Sequence, residues 1–577
     1  MAVGTPSQSP AIVIKEVDLS GVVPNVQSTT GAIVGAYSWG PVETRERIAN
    51  ETELAATFGA ADSDSTIDFH TAAYYLRYSS DLFVTRSVTS AAKNAKGAVA
   101  TGDAPLIKNK ADFDTQVSTL EAAGHHFIAK WPGELGNAIE VSLCPASSSN
   151  TVFDGWAYKS SFDAAPVSSQ YALDRAAAND EVHIAVIDKT GKFGTKGAVL
   201  ETFPFVSLAS DATNADGSTN YVKNIINNNS NYVWMAGFDS DYDTGAEAGT
   251  AIDSGDDYLL SSPAVKEYRM GDGVNSGAMT ATEAATGFDL YEDADTVEVD
   301  FLIAPGMSDT STQQTVVNDL VATAKARKDC VVVAGPARDD VVNVTNGATA
   351  TTNITSTIGG FTYSSYLVAD GNYLKVYDKY NDKYIHIPAS SSTAGIMSAS
   401  DANAAPWVSP AGARRGAYLG VTSLPYSPTK AQRDTLYKAG INPVANIPGQ
   451  GILLFGDKTH MNRPSAFDRI NVRRLFLTVE RAIGEAAKNV MFELNDEFTR
   501  AEFVNVVEPF LREIKGRRGI TDFKVVCDET NNTAAVIDRN EFVANIFIKP
   551  ARSINFITLN FVAVRTGVEF EEVVGTV

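Results

Sequence analysis

Asp239, Asp241 and Asp243 stand at alternate positions and are followed by Gly245, the spacing with which a calcium-binding loop opens. Carboxylates so placed converge on one hard cation as the chain turns. Here the glycine comes one position late, and Thr250 stands where the loop needs a bidentate glutamate. The stretch therefore reads as a solvated acidic turn that could take an ion only opportunistically. His125 and His126 are the one adjacent histidine pair. Sequence neighbours point apart on a strand or a helix, and no H-E-x-x-H accompanies them, so they read as a surface or internally satisfied pair. Gly271, Gly273 and Gly277 miss the dinucleotide fingerprint by one residue and read as loop glycines. Neither a phosphate-binding G-x-x-x-x-G-K-[ST] nor a G-x-S-x-G nucleophile turn occurs. Cys144, Cys330 and Cys527 lie far apart, which excludes a disulfide framework and fits a reducing compartment; Cys330 and Cys527 sit among valines, as core residues do. No catalytic residue, metal site or cofactor is expected, and the chain is not expected to be an enzyme.

The bulk properties point the same way. A chain of 577 residues, 44% of them hydrophobic, has the length of three or four domains and the composition of a folded protein. The net charge is −22, from 47 basic and 69 acidic residues. A nucleic-acid binder needs a basic surface, so that class is disfavoured. No apolar window is long enough for a membrane span, and no secretory leader is expected. From Gly451 onward there are 17 basic and 18 acidic residues, so almost all the excess negative charge lies in the first 450 residues. Such a split suits one part that meets partners and another that faces water.

The elements follow from periodicity. Strands are expected over 30–37 and 82–88, with a helix over 68–78 between them. The run Val297–Ala304, a helical spacing of Val316, Val317, Leu320, Val321 and Ala324, and the run Cys330–Pro336 form a β-α-β unit. Between them, 91–295 is rich in Asn, Asp, Ser and Gly, with short strands near 181–187 and 197–205, and reads as a β-rich insertion. Toward the end, 470–490 reads as an amphipathic helix. Val472, Leu475, Phe476, Val479, Ile483, Ala486 and Val490 share one face, Arg474, Arg481 and Lys488 stand opposite, and Glu485 is spaced to pair with Arg481. Strands follow near 542–549 and at Ile557, Leu559 and Phe561.

Two β-prone segments lie outside these compact parts. One contains Ile12, Val13, Ile14 and Val17, and the other contains Val568, Phe570 and Val573. A strand without a partner of its own adds to the edge of another sheet, usually that of another subunit; the alternative is that each arm folds back on its own chain or is disordered. If each copy donates and accepts, the contact is heterologous and yields a ring or a helix.

A series of segments in order resembles the tail sheath proteins of contractile-tailed bacteriophages, in particular the T-even-like group. They are Asp370-Gly-Asn-Tyr-Leu-Lys-Val-Tyr-Asp-Lys-Tyr-Asn-Asp382, Trp407-Val-Ser-Pro-Ala-Gly412 with Arg415-Gly416, Ile441-Asn-Pro-Val444, Leu454-Phe-Gly-Asp-Lys-Thr459 and Phe467-Asp-Arg-Ile-Asn-Val-Arg-Arg-Leu-Phe476. Phe492-Glu-Leu-Asn495, Asn531-Asn-Thr533, Ile537-Asp-Arg-Asn540 and Pro550-Ala-Arg-Ser-Ile-Asn555 continue the series. Ser38-Trp-Gly-Pro41, Phe58-Gly59 and Trp131-Pro-Gly-Glu-Leu-Gly136 are similar at the front. The resemblance implies a structural subunit that stacks in six-fold rings around a tail tube and contracts to drive the tube through the host envelope. Its partners would be copies of itself, the tube protein, and baseplate and tail terminator proteins. It would assemble in the host cytoplasm and reside in the virion tail.

The expected fold class is α+β or α/β multidomain. It comprises an arm at 1–20, a middle α/β domain from 21–90 and 296–450, an inserted β-rich outer domain at 91–295, an inner tube-facing domain at 451–565 and an arm at 566–577. An outermost protruding domain of the largest members would be trimmed near 91–125. Arg474, Arg481 and Lys488 are the candidate tube-facing residues. Two alternatives stand beside this reading: the sheath of a pyocin-like or type VI particle, and a non-contractile surface-layer or adhesin protein.

Overall fold

The computed structural model describes residues 29–97, 102–238, 248–260 and 262–555, arranged as mixed α/β structure. The chain divides into two compact units, one from 26–406 and 410–473, the other containing 407–409 and 474–555.

The larger unit begins with β1 (Gly31–Gly35), β2 (Arg45–Ile48) and β3 (Leu82–Arg86). The chain then builds β4 (Asn94–Gly97), β5 (Phe127–Pro132), β6 (Ile139–Pro145), β7 (Glu181–Asp188), β8 (Ala198–Ser207), β9 (Val233–Met235) and β10 (Lys266–Gly271). It returns to the first layer with β11 (Phe301–Ile303), β12 (Val331–Ala334) and β13 (Leu367–Ala369). One six-stranded sheet has the order β13-β12-β11-β1-β3-β2, parallel except for the edge strand β2. The intervening residues form a separate antiparallel sheet of seven strands, β8-β7-β6-β10-β4-β5-β9. The segments that enter and leave this insertion lie side by side. Lys93 and Val274 exchange backbone hydrogen bonds of 3.0 and 3.1 Å, and Thr89 N–H donates to Ser276 Oγ at 2.7 Å.

Sequence explains the first sheet directly. β1, β11, β12 and β13 read GAIVG, FLI, VVVA and LVA, continuous apolar runs suited to strands covered on both faces, and all their residues are buried. The expected β-α-β unit is present: the helix Thr310–Arg327 joins the parallel neighbours β11 and β12, and Val316, Val317, Leu320, Val321 and Ala324 are all buried in the same core. Asp309 caps that helix by accepting from Thr312 N–H at 2.9 Å. The bonds from Thr312 and Ser311 hold its carboxyl down at about 2.

The hairpin β14 (Tyr373–Asp378) and β15 (Lys383–Pro388) carries most of the first resemblance motif, and Asp378 fastens it to the helix Thr66–Tyr75. The buried carboxylate accepts from Thr66 Oγ1 at 2.7 Å and Asn381 Nδ2 at 2.8 Å, and His70 Nε2 lies 3.0 Å away. Burial opposes its charge, but these hydrogen bonds and one from Tyr380 N–H outweigh it and hold the carboxyl well below its usual range. β16 (Val444–Ile447) and β17 (Gly451–Leu454) complete this unit as a second hairpin.

The division between units falls between Arg473 and Arg474, inside the helix Ile470–Lys488, whereas the charge change suggested 451. Side-chain contacts explain why 451–473 stays with the larger unit. Asp457 pairs with Arg469 at 3.1 Å, and Arg473 donates to Ser365 Oγ at 2.7 Å while its guanidinium covers Tyr366 and Phe467. The smaller unit contains the rest of that helix, the helix Glu497–Gly516, and the hairpin of β18 (Ile520–Val526) with β19 (Asn545–Pro550). Asp496 caps the second helix through Thr499 N–H at 2.8 Å.

Asp378→Asn removes a charged acceptor of several bonds and is expected to lower stability by roughly 2 kcal/mol at neutral pH, measured by denaturant unfolding. A carboxyl held below its usual range stabilises above the unfolded value near ~4, and that stabilisation fades as pH falls through the folded value. The gap between wild type and variant should therefore narrow below about pH 4.

Candidate functional site

Two of the three front motifs meet at one residue, and the third packs against them. Arg86 ends β3 and is fully buried. Its guanidinium donates to three backbone carbonyls: Tyr37 O at 2.8 Å, Gly40 O at 2.9 Å and Pro132 O at 2.6 Å. The first two belong to the turn after β1, and the third to the end of β5 in the inserted sheet. Burial lowers the guanidinium's pKa to about 9, with Asp62 opposing the shift, so the group stays charged at neutral pH. Gly40, at φ +96°, packs against Thr57 O and Phe58, and Gly133, at φ +135°, lies against Ser38 O, where a Cβ would approach to 2.7 Å. Both positions demand glycine on backbone conformation and on space. Ser38-Trp-Gly-Pro41, Phe58-Gly59 and Trp131-Pro-Gly-Glu-Leu-Gly136 thus form the joint between the two sheets.

The carboxyl edge of the six-stranded sheet changes direction between β1 and β11, the place where open α/β sheets receive ligands. Here the chain fills part of that edge itself. The helix Ser390–Asn403 packs against β11 and β12, with Ser390, Ser391, Ser392 and Thr393 wholly buried. Ser390 Oγ donates to Ala304 O beyond β11 at 2.9 Å, and Thr393 Oγ1 donates to Asp370 beyond β13 at 3.2 Å. Burial raises the Asp370 carboxyl well above its ordinary range, against the hydrogen bond from Thr393.

The chemistry-bearing residues of the sequence reading are dispersed. His125 and His126 are buried at the start of β5, and His126 stacks on Phe127 at 4.3 Å. Cys144, Cys330 and Cys527 are buried free thiols. Among the described residues, no group of three or more His, Cys, Asp or Glu could hold a metal ion. Asp239, Asp241, Asp243 and Gly245 lie outside the described residues, as do Ile12, Val13, Ile14 and Val17 of one arm, Val568, Phe570 and Val573 of the other, and the expected strand at Ile557, Leu559 and Phe561.

The basic stripe needs correction. Arg474 is 3% exposed, Arg481 is half-buried and Lys488 is exposed, so the helix does not present three equivalent cations. Glu485 meets Lys488 Nζ at 2.6 Å. On the other face, Val472, Leu475, Val479, Ile483 and Ala486 are buried as expected, and Ala482 beside them, while Phe476 and Val490 are half-buried; Leu477 is buried too, although its spacing puts it on the side of Arg474 and Arg481.

The helix Glu497–Gly516 has no counterpart in the sequence reading, whereas the expected strand near 542–549 is present as β19. Asparagines brace their surroundings: Asn532 Nδ2 donates to Val543 O at 2.8 Å and its Oδ1 accepts from Val543 N–H at 2.9 Å, a side chain acting as a strand edge. Asn495 Nδ2 donates to Glu541 O at 2.8 Å. The resemblance motifs at 492–495 and 531–533 are therefore joined through asparagine bonding. β18 and β19 form a sheet of only two strands, packed on that helix, with no further strand at either edge among the described residues.

Comparison with known proteins now bears on these surfaces. Residues 275–460 match the family model of the phage tail sheath protein central domain, and 462–563 match that of the phage tail sheath C-terminal domain. The chain is 30% identical to the tail sheath protein of Enterobacteria phage T4, over 98% of this chain and 99% of that protein. It is 31% identical to the tail sheath protein of Vibrio phage KVP40, over the same shares. A sheath tail protein from Listeria innocua has a similar fold, with a TM-score of 0.54 at 12% identity over 92% of this chain and 94% of that one.

Arg86→Met leaves three buried carbonyls without their donor and is expected to cost about 3 kcal/mol or more. Hydrogen exchange should quicken first at the backbone of 37–41 and 130–133.

Proposed function

The chain belongs to the tail sheath protein family, and from that membership we propose that copies of it stack as six-fold rings around a tail tube and contract to drive the tube through a host envelope. The observation that carries the reading is the β18–β19 hairpin. A sheet of two strands is marginal alone and open at its edges, and a strand added there gains main-chain hydrogen bonds that are largely indifferent to side chains. The β-prone segments at 1–20 and 566–577 supply such strands to neighbouring copies. A donor–acceptor contact of this kind is heterologous and closes into a ring or continues as a helix. Main-chain pairing can persist while domains tilt, so the arms serve as hinges of the lattice.

In this arrangement 451–565 faces the tube, 21–90 with 296–450 forms the middle layer, and 91–295 projects outward. The role is structural, without catalysis or cofactor. Baseplate and terminator proteins bound the sheath, which assembles in the host cytoplasm and resides in the virion tail. Arg481 and Lys488 face an acidic band on the tube, and Arg474, being buried, is a packing residue. Exposed charge contacts are individually weak and salt-sensitive, which suits an interface that must slide.

Deleting 566–577 should leave a folded chain that forms no rings or tubes by electron microscopy, alone or with tail tubes and baseplates added. Polymers as long as the wild type's would refute the arm's role. Charge reversal as Arg481→Glu with Lys488→Glu should spare self-assembly and abolish assembly on tubes, and normal decoration of tubes would refute the tube contact.

A further inference from the structure

The smaller unit carries an apolar turn that stands exposed among its described residues. Met491, Phe492, Leu494 and Phe498 are 59, 101, 77 and 77% exposed. Asn495 and the Asp496 cap fix the turn from within, so the exposure is built in rather than a result of slack. Phe492 also has φ +70°, a left-handed conformation that a bulky residue adopts only at a cost. Among the described residues of the unit, none offsets that cost by burying the ring. Acidic residues flank the turn: Glu493, Asp496 and Glu497, all outside the core.

The opposite end of the Glu497–Gly516 helix has the complementary character. Arg512, Lys515, Arg517 and Arg518 are exposed there. Arg512, Lys515 and Arg517 are in part neutralised by Glu508, Asp522 and Glu513. Ala551 N–H donates to Gly519 O, which brings exposed Arg552 and Ile554 to the same end. The helix dipole accounts for acids at one end and bases at the other, but for none of the exposed apolar side chains. Twenty residues of helix separate the two ends by about 30 Å, so one copy cannot close the contact on itself.

We propose that the turn 491–498 of one copy seats on the basic end, Arg518, Arg552 and Ile554, of the next copy. This inference rests on the sheath reading above and adds a side-chain contact to the arm pairing. A second copy is the favoured occupant because one chain holds both halves of the match, at opposite ends. Charge supports it as well: the part of the chain from 451 onward is nearly neutral, whereas contact through the acidic remainder brings like charges together. The contact is head-to-tail, the geometry that propagates.

The test is a charge exchange in the full chain, with folding verified by circular dichroism and melting. Glu493→Arg with Glu497→Arg, and separately Arg518→Glu with Arg552→Glu, should each raise the concentration needed for polymerisation by about tenfold or more. The chain carrying all four substitutions should return to within about threefold of wild type. Pairs that polymerise like wild type, or a fourfold variant that is not rescued, overturn the contact. A benzophenone amino acid at position 492 should cross-link, within polymers, to residues 512–554 of another copy; attachment to the tube protein, or to neither, also overturns it. Wild-type chain that never polymerises, even with tubes and baseplates, overturns instead the sheath reading beneath it.

Discussion

A guanidinium without a carboxylate beside it is expensive to bury, and the larger unit depends on burying one. Arg86 has its charge dispersed over three carbonyls, which no water molecule or single acid could replace in the same geometry. The turn after β1, the glycine at 133 and the end of β5 are all shaped around that cation. With it in place, a parallel sheet and an antiparallel sheet of different origin in the chain act as one unit. Without it, the chain would have three inward-facing carbonyls and no donor for them.

How much of this was legible in the sequence depends on the range of the interaction that decides each element. Local periodicity sufficed for the Thr310–Arg327 helix, β11 and β12, and for most of the apolar face of the Ile470–Lys488 helix, because burial there follows directly from residue type. It failed for Arg474, whose place on a helical wheel says nothing of what packs over it. It missed the Glu497–Gly516 helix, where Pro509 breaks the usual pattern, although the Asp496 cap was a usable signal. The front motifs could be quoted but not assembled, since Ser38, Phe58, Arg86 and Trp131 are joined only by long-range packing. The braced turn at 491–498 was likewise out of reach: Asn532 mimics a strand edge, and no propensity marks a side chain for that.

The absence of familiar catalytic motifs has a counterpart in packing. The carboxyl edge of a doubly wound sheet is commonly a ligand crevice, and here Ser390 and Thr393 lie against it with their hydroxyls turned to the chain's own acceptors. The family supplies the rest: its members are structural proteins of phage tails. An α/β layer thus serves as framework.

The paired segments at Lys93 and Val274 have a consequence of a different kind. Because the chain enters and leaves the seven-stranded sheet through neighbouring, hydrogen-bonded strands, that sheet is a cassette with closely spaced ends. Its size and surface can drift from one lineage to the next while the framework's registers stay as they are. The same plug-in geometry makes it the natural place to graft a foreign domain onto this protein, provided that the residues gripping Arg86 are carried along.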